Sequence, residues 1–452
     1  MRPGRLIAFT LVVAAVAAFV WFFEREQPTT DERRERADLL FAGFEQEQAR
    51  RVVVTNSHGR FELVKEKDDW RLVAPVADDA NPGSVSSLLS TLASLKADRT
   101  LEAKDLSLAD YGLAPATFAV TVEGEKGRLA DLKVGGQLPL GNLRAALTDG
   151  GKVYLVNAWI TSDLERDLGG WRSTDLVQLT SADVASLTIT AGAERVALAN
   201  TGGGWTLTEP IADLAERDRA EGLIGDLNGA QVKEHVDQPG DLAALGLASP
   251  RLLLTVVRKD DAAPVQLAFG AERDKDGRQV ACRRGERVLW VDASVLTRAG
   301  TALADWRARA LTSFDTWSVS GLEVEAGATR VALERAEGVW KAGATEVDSD
   351  AVSRRLRAFA DLQVVGFDRP KPAGTPLGKV VVKLEAGSPV EATFHPGSGP
   401  GEALALVSGR AGVLAVDAAR VGEVLADPAA LAAPKPTPVP PATPAAEPTA
   451  GE

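Results

Sequence analysis

Three aspartates stand at one register of this sequence, where carboxylates could bind a metal ion or act as acid and base. Asp78, Asp213 and Asp348 are equally spaced, and each follows a tryptophan by eight residues. Each lies in a segment that leaves a predicted strand ahead of a predicted helix, where aspartate side chains accept backbone N–H bonds. We therefore interpret the three as structural positions that cap helices.

Histidine and cysteine provide no set of metal ligands or nucleophiles. The three histidines fall at different offsets from the tryptophan positions described below, and none has a second ligand at zinc spacing: they are His58, His235 and His395. Cys282 has no Cys-x-x-Cys partner, and in a strand-like segment it is expected to be a small buried hydrophobe. We therefore predict no catalytic residue, no metal site, no cofactor and no enzymatic activity.

Tryptophan is the remaining residue type that could carry a function. The interval from Trp70 to Trp205 equals the interval from Trp205 to Trp340, which predicts that each of the three anchors a core. Three others are possible surface contacts: Trp159, Trp290 and Trp317. The first two could stack on sugar rings if exposed, and the third has no aromatic counterpart in the other repeats.

The segments around the repeated tryptophans are similar along their whole length. "DDWRLVAPVADD", "GGGWTLTEPIADL" and "GVWKAGATEVDSD" occupy equivalent places. Before each comes period-2 alternation of apolar residues on both sides of a short polar turn, which predicts a β-hairpin followed by a third strand. After each comes a helix whose apolar residues share one face: Leu88, Leu89, Leu92 and Leu95; Leu223, Ile224 and Leu227; Ala358, Phe359 and Leu362.

The second half of each repeat is also duplicated. "YGLAPATFAVTV" matches "LGLASPRLLLTV", and Trp171-Arg172 matches Trp306-Arg307, whereas the third repeat is about ten residues shorter and has no Trp-Arg pair. The sequence therefore predicts an α+β fold of three tandem repeats, each an antiparallel sheet packed with helices. We name them module 1 (37–171), module 2 (172–306) and module 3 (307–431).

The ends of the sequence differ from the modules in composition. Leu6–Phe23 is an 18-residue apolar run after Arg2 and Arg5, which predicts a transmembrane anchor within residues 1–30, with the N-terminus in the cytoplasm. A signal peptide cleaved after Ala15-Val16-Ala17 is the alternative, but cleavage there would leave "AFVWFF" exposed. Residues 432–452 are rich in proline and alanine and are predicted to be disordered.

The net charge of −12 disfavours a nucleic acid as partner. The segment from Val54 to Leu92 and the later "WRARALTSF" (306–314) resemble the bacterial family known as domain of unknown function 4340. That resemblance covers nearly all of 37–431, and its motifs are structural. It implies an envelope protein associated with ABC-transporter systems of the gliding-motility type.

Two functions follow from these observations. The first is a non-enzymatic accessory or scaffold protein, anchored in the inner membrane with its modules in the periplasm and working with a membrane protein complex. The second is a periplasmic protein that binds polysaccharide or peptidoglycan, which requires exposed tryptophans along a groove.

Overall fold

The computed structural model describes residues 39–101, 106–138, 141–202, 204–259, 263–273 and 276–435. The predicted anchor Leu6–Phe23 and residues 436–452 of the predicted tail lie outside these ranges. None of the described helices is both long enough and apolar enough to cross a bilayer. The chain divides into two compact units, residues 1–174 and 175–452, so that modules 2 and 3 belong to the same unit.

Module 1 is one nine-stranded antiparallel sheet with the order β4-β3-β2-β1-β6-β7-β8-β9-β5. Its elements are β1 (Ala49–Asn56), β2 (Gly59–Glu66), β3 (Asp69–Ala74), β4 (Asp78–Asp79), α1 (Pro82–Ser94), β5 (Ala97–Leu101), β6 (Phe118–Gly124), β7 (Gly127–Gln137), β8 (Leu143–Thr148), β9 (Val153–Asn157), α2 (Thr161–Leu164) and α3 (Leu168–Trp171). Short 3-10 turns span Gln46–Gln48 and Ala158–Ile160.

Module 2 repeats this sheet with the order β13-β12-β11-β10-β15-β16-β17-β18-β14. Its elements are β10 (Val184–Ala191), β11 (Glu194–Asn200), β12 (Trp205–Glu209), β13 (Asp213–Leu214), α4 (Arg217–Gly229), β14 (Val232–His235), β15 (Leu252–Arg258), β16 (Val265–Glu272), β17 (Gln279–Arg284), β18 (Arg287–Asp292) and α5 (Leu303–Trp306), with a 3-10 turn at Ala293–Leu296.

Module 3 has the same order again, β22-β21-β20-β19-β24-β25-β26-β27-β23. Its elements are β19 (Val319–Ala326), β20 (Thr329–Ala336), β21 (Val339–Ala342), β22 (Thr345–Glu346), α6 (Ser349–Ala360), β23 (Val364–Gly366), β24 (Gly378–Leu384), β25 (Val390–Pro396), β26 (Glu402–Val407), β27 (Leu414–Asp417), α7 (Ala418–Leu425) and α8 (Pro428–Leu431), after a 3-10 turn at Thr316–Ser318.

One long helix packs on each sheet because it connects the two opposite edges. In module 1, α1 runs from β4 to β5, which are the first and last strands of the sheet. Asn81 caps the helix by accepting a bond from the Ser84 N–H, and the predicted face of Leu88, Leu89 and Leu92 is buried. The predicted face of α4 is buried as well, whereas α6 buries Phe359 together with Val352 and Leu356 and leaves Ala358 half-buried.

The repeat architecture and the leading three-stranded meander are confirmed, but the α+β class needs correction. Each module has nine strands and only one helix longer than eight residues among the described residues, so the fold is mostly sheet. Sequence reasoning underestimated the strands of the second half, which alternate in burial just as the first half does. One face of each sheet holds the main core of its module.

Part of the opposite face is covered by a loop that approaches the sheet very closely. In module 1 the loop before β6 packs on Ala145 and Val153, while Ala146 belongs to the main core. Gly112 in this loop has φ +65° and lies against Gly135 of β7. A Cβ added to Gly135 would overlap the carbonyl oxygen of Tyr111. The glycines of "YGL" and "KVGG" are therefore required by close contact of two backbones.

Module 2 contains the same contact. Gly246 has φ +66°, and Gly270 in β16 has no room for a Cβ because the Leu245 carbonyl lies beside it. That carbonyl accepts a bond of 2.8 Å from the Ala271 N–H. The duplicated "LGL" and "FGA" segments thus encode a loop fastened to the sheet.

The outer strands of the sheets are paired with the segments that enter and leave each module. In module 3 the entering segment pairs with β23 through a bond of 2.6 Å from Val364 N–H to Arg309 O, and Leu311 N–H donates to Leu362 O, just before that strand, at 2.9 Å. The leaving segment pairs with β22, where Pro434 faces Val347 and Lys435 N–H donates to Glu346 O at 3.1 Å. Residues 434 and 435, at the start of the predicted disordered tail, therefore extend the sheet. Covered edges are a common protection against unwanted strand pairing.

Candidate functional site

The most prominent polar cluster lies where module 3 meets module 2. Asp213 in β13 is completely buried and accepts a hydrogen bond of 2.6 Å from Arg307 Nε through Oδ2. Its other oxygen, Oδ1, accepts from Nε of Arg410 in the β26–β27 turn. One carboxylate therefore binds two arginines, one from the linker and one from the following module.

The remaining donors of both arginines are also satisfied. Arg307 binds both oxygens of Asp368 at 2.9 Å and the Ala411 carbonyl at 2.6 Å. Arg410 donates to the carbonyls of Ala308 and Leu311 at 2.8 and 2.9 Å. Burial lowers the pKa of Arg410, and the attraction of Asp213 opposes that shift. Two arginines and two aspartates form a neutral, fully bonded cluster that fastens the two modules together.

The equivalent aspartate and arginine also form an ion pair in the first unit. Arg172 Nε lies 3.1 Å from Asp78 Oδ2, and both side chains are buried. Asp78 also accepts the Asp79 N–H, as Asp213 accepts the Leu214 N–H, each at 2.8 Å. Duplication has therefore preserved an ion pair in modules 1 and 2. It joins the aspartate of the outer strand, β4 or β13, to the arginine that follows the module.

The helix-capping role predicted for the three aspartates holds only for Asp348. Asp348 caps α6 by accepting the Asp350 N–H at 3.0 Å, and its side chain is about one third exposed. Asp78 and Asp213 lie within two-residue strands before the caps, and their carboxylates point to arginines. The spacing from the tryptophan could not tell an aspartate of the outer strand from an aspartate at the helix cap, because these two positions are only three residues apart in modules 1 and 2.

The repeated tryptophans differ in burial. Trp205 and Trp340 are each 4% exposed, and Trp70 is half-buried against the core of module 1. The tryptophans of the Trp-Arg pairs are buried even more completely, since Trp171 and Trp306 have no exposed surface. Sequence reasoning noted these pairs only as a repeated step, although they supply the largest buried side chains.

The three candidate surface tryptophans occupy unrelated positions. Trp317, in the 3-10 turn before β19, is 71% exposed, and Trp159, in the turn after β9, is 43% exposed. Trp290 lies within β18, packs against a small apolar cluster and is covered by the Arg273 guanidinium, 5.2 Å from the ring centroid. They therefore do not form a platform that duplication has repeated.

Shallow grooves occur at the same place on the outer face of modules 1 and 2. The groove in module 1 has a volume of about 270 Å³ and lies between β7, the β8–β9 turn and the entering segment. The groove in module 2 has a volume of about 280 Å³ and lies between β16 and the β17–β18 turn. Both are slightly smaller than the roughly 300–1,000 Å³ of small-molecule sites.

The chemistry of the two grooves differs although their positions match. Asp131 in module 1 corresponds to Gln266 in module 2, and Thr148 corresponds to Arg283. In both cases the interval between the two residues equals that between Trp70 and Trp205. A ligand that bound both grooves would meet two carboxylates beside the Arg128 guanidinium in module 1, but the Arg283 guanidinium without a carboxylate in module 2. The grooves are suited to hold a partner's side chain, and they do not form one duplicated ligand site.

The other residues considered for chemistry are separated. Cys282 is buried in the core of module 2, where burial raises the pKa of its thiol to about 12. In the described part of the chain, no group of three or more His, Cys, Asp or Glu residues is arranged to hold a metal ion. Sequence reasoning missed Arg410 and Asp368, because only the fold brings them to Asp213 and Arg307, across 197 and 61 residues of sequence.

One comparison identifies relatives of these modules. A family described as "Domain of unknown function (DUF4340)" matches residues 70–220 and again residues 205–378, more than half of the chain. The first match starts at Trp70, and the second starts at Trp205, its counterpart in the next repeat. No curated protein matches this chain.

Proposed function

This chain belongs to the DUF4340 family, and on that premise we propose that it is a non-enzymatic accessory or scaffold protein of a bacterial envelope complex. In this proposal the apolar segment Leu6–Phe23 anchors the chain in the inner membrane, and Arg2 and Arg5 keep its N-terminus in the cytoplasm. The three modules then stand in the periplasm beside an ABC-transporter-type complex.

The observation that supports this proposal most strongly is what duplication has preserved and what it has changed. The buried Asp-Arg pairs recur with the same separation in both units, whereas the lining of the equivalent grooves has changed from Asp131 and Thr148 to Gln266 and Arg283. A duplicated enzyme or ligand-binding module would be expected to retain the polar groups of its site. Retention of the structural pair instead favours a protein that works through its shape and its surfaces.

The experiment that tests this function is crosslinking in native cells, followed by purification of the full chain from membranes and mass spectrometry. We expect reproducible crosslinks to subunits of a multi-span membrane complex, enriched over an abundant single-pass protein as control. Recovery of the chain without any membrane protein partner would contradict the accessory role. Recovery in the soluble periplasmic fraction would contradict the anchor.

A second function, glycan binding, is favoured by one observation, the exposed indole of Trp159. It has weaker support because the ring of Trp290 is covered by Arg273. Retention on purified peptidoglycan distinguishes the two functions. Loss of retention in Trp159→Ala, with retention intact in Val73→Ala as an exposed apolar control, would favour the glycan-binding function.

A further inference from the structure

The junction of modules 2 and 3 shows which surface of a module is built for docking. In module 3 this surface comprises the entering segment (310–312) and the β26–β27 turn (408–413), which we call the head face. Its Arg410 reaches Asp213 of module 2, and its Ala411 carbonyl accepts from Arg307 at 2.6 Å. Leu311, Thr312 and Arg410 of the head face are buried at the junction with the preceding module, whereas Ser408, Gly409 and Gly412 stay exposed.

Module 1 has the same elements, but its head face is exposed. Its entering segment contains Leu40, whose N–H donates to Leu95 O at 2.9 Å, as Leu311 donates to Leu362 O. Its β8–β9 turn contains Asp149, with 62% of the side chain exposed. The groove of about 270 Å³ lies between these two elements. Among the described residues, the turn of module 1 is thus exposed, whereas Arg410 in the turn of module 3 is buried.

The head face of module 1 differs from that of module 3 in its charged groups. The turn of module 3 provides Arg410 as a cation for the carboxylate of Asp213, whereas the turn of module 1 carries the exposed side chains of Asp149 and Lys152. Arg128 bridges Asp131 at 3.0 Å and Asp149 at 2.9 Å, in an exposed geometry that is worth little and can rearrange. Beside these charges lie the half-buried apolar side chains of Leu40 and Phe41.

In the part of the chain that the structure describes, the leaving edge of module 3 differs from that of module 2. Pro434 pairs with Val347 at the place where Arg307 pairs with Ala215 of module 2. Lys435 follows, forming an ion pair of 2.9 Å with Glu346. The chain itself therefore occupies this edge. Pro434 and Lys435 have no guanidinium, the group that Arg307 provides at the junction between modules 2 and 3.

We propose that the head face of module 1 is the surface that binds the partner complex, and that the partner presents a basic side chain next to an apolar one. The basic group pairs with Asp149 and Asp131, and the apolar side chain lies against Leu40 and Phe41. The proposal uses the docking surface that the fold already employs within the chain, with carboxylates in the role that Arg410 plays in module 3. It rests on the function proposed above.

The test places a photoreactive phenylalanine analogue at Gly150 in the full-length chain in native membranes. The control carries the analogue at Glu286, in the exposed β17–β18 turn of module 2. We expect a crosslink to an integral membrane protein from position 150, and about tenfold less of it when Asp149→Lys is added, because like charges would meet. The same charge change at Glu286→Lys should leave the crosslink from position 150 unchanged.

Three outcomes would overturn the proposal. A crosslink from position 150 to a second copy of this chain would make the head face a self-association surface. Crosslinks from position 286 but not from position 150, with a membrane complex still co-purifying, would reject this surface and leave the proposed function intact. Absence of any co-purifying membrane protein would reject both.

Discussion

Arg307 and Asp213 form a completely buried ion pair across 94 residues of sequence, with 2.6 Å between Nε and Oδ2. Arg172 and Asp78 have the same separation in sequence and are also paired and buried. The arginine follows the last residue of a module, and the aspartate lies on the outer strand of that module. Modules 1 and 2 are therefore each closed by the arginine that follows them, whereas Pro434 and Lys435 take this place in module 3.

Removal of the shared carboxylate should strongly destabilise the protein. In Asp213→Ala, Arg307 and Arg410 would both lose their buried counter-ion, so we expect a loss of about 3–5 kcal/mol in the free energy of unfolding. The measurement is urea unfolding of the purified chain followed by tryptophan fluorescence. Asp348→Ala is the matched control, with an expected loss of only about 1 kcal/mol because it removes a half-exposed helix cap. Equal losses in the two variants would contradict the role of the cluster.

The close contact of loop and sheet should make two glycines irreplaceable. Gly135→Ala and Gly270→Ala each place a Cβ against a backbone carbonyl, that of Tyr111 or Leu245, which cannot move without breaking the loop contact. We expect a loss of about 1–3 kcal/mol for each variant, measured by thermal or urea unfolding. Gly225→Ala, at an exposed position of α4 with no neighbour within 4 Å, should be neutral or more stable by up to about 1 kcal/mol.

The tryptophans should divide sharply into core and surface positions. Trp306 is fully buried, donates to the Gly300 carbonyl at 2.6 Å and lies under the Arg219 guanidinium, so Trp306→Ala should cost about 3–5 kcal/mol. Trp317 is 71% exposed, and Trp317→Ala should change stability by no more than about 0.5 kcal/mol. A large loss on replacing Trp317 would reveal a contact that the fold does not show.

The thiol of Cys282 should be unreactive while the protein is folded. Its pKa is raised to about 12 by burial, so hardly any thiolate exists near pH 8. We expect alkylation by iodoacetamide to proceed only as fast as the protein unfolds, and to become rapid in urea. Fast labelling under native conditions would show that module 2 opens locally.

The same shift predicts how stability depends on pH. Because the pKa of Cys282 is higher in the folded than in the unfolded chain, the thiol has no effect below the unfolded value, near 9. Above it, the unfolded chain loses a proton that the folded chain keeps, so the free energy of unfolding falls by about 1.4 kcal/mol per pH unit up to about 12. Urea unfolding of Cys282→Ala between pH 9 and 11 should lack this contribution.

The sequence by itself determined the repeat, the position of the long helices and the leading three strands. These features depend on local periodicity: alternation at Val52 and Val54, helical spacing at Leu88 and Leu92, and polar turns between them. A period of two residues for a strand or 3.6 for a helix appears directly in the order of apolar and polar residues. It can therefore be recognised without knowing which distant residues each element contacts. The buried tryptophans follow for the same reason, because duplication preserved them at one interval.

The sequence could not determine which distant residues meet. Asp78 and Asp213 were expected to cap helices, since nothing in the sequence near an aspartate announces an arginine 94 residues later. The convergence of Arg410 on the same carboxylate depends on the β26–β27 turn, which spans residues 408–413 in module 3, whereas only residues 285 and 286 separate β17 from β18 in module 2. Which arginines pair with Asp213 is determined only when the sheets pack and exclude water. A carboxylate in water needs no counter-ion, whereas a buried carboxylate must be paired and hydrogen-bonded.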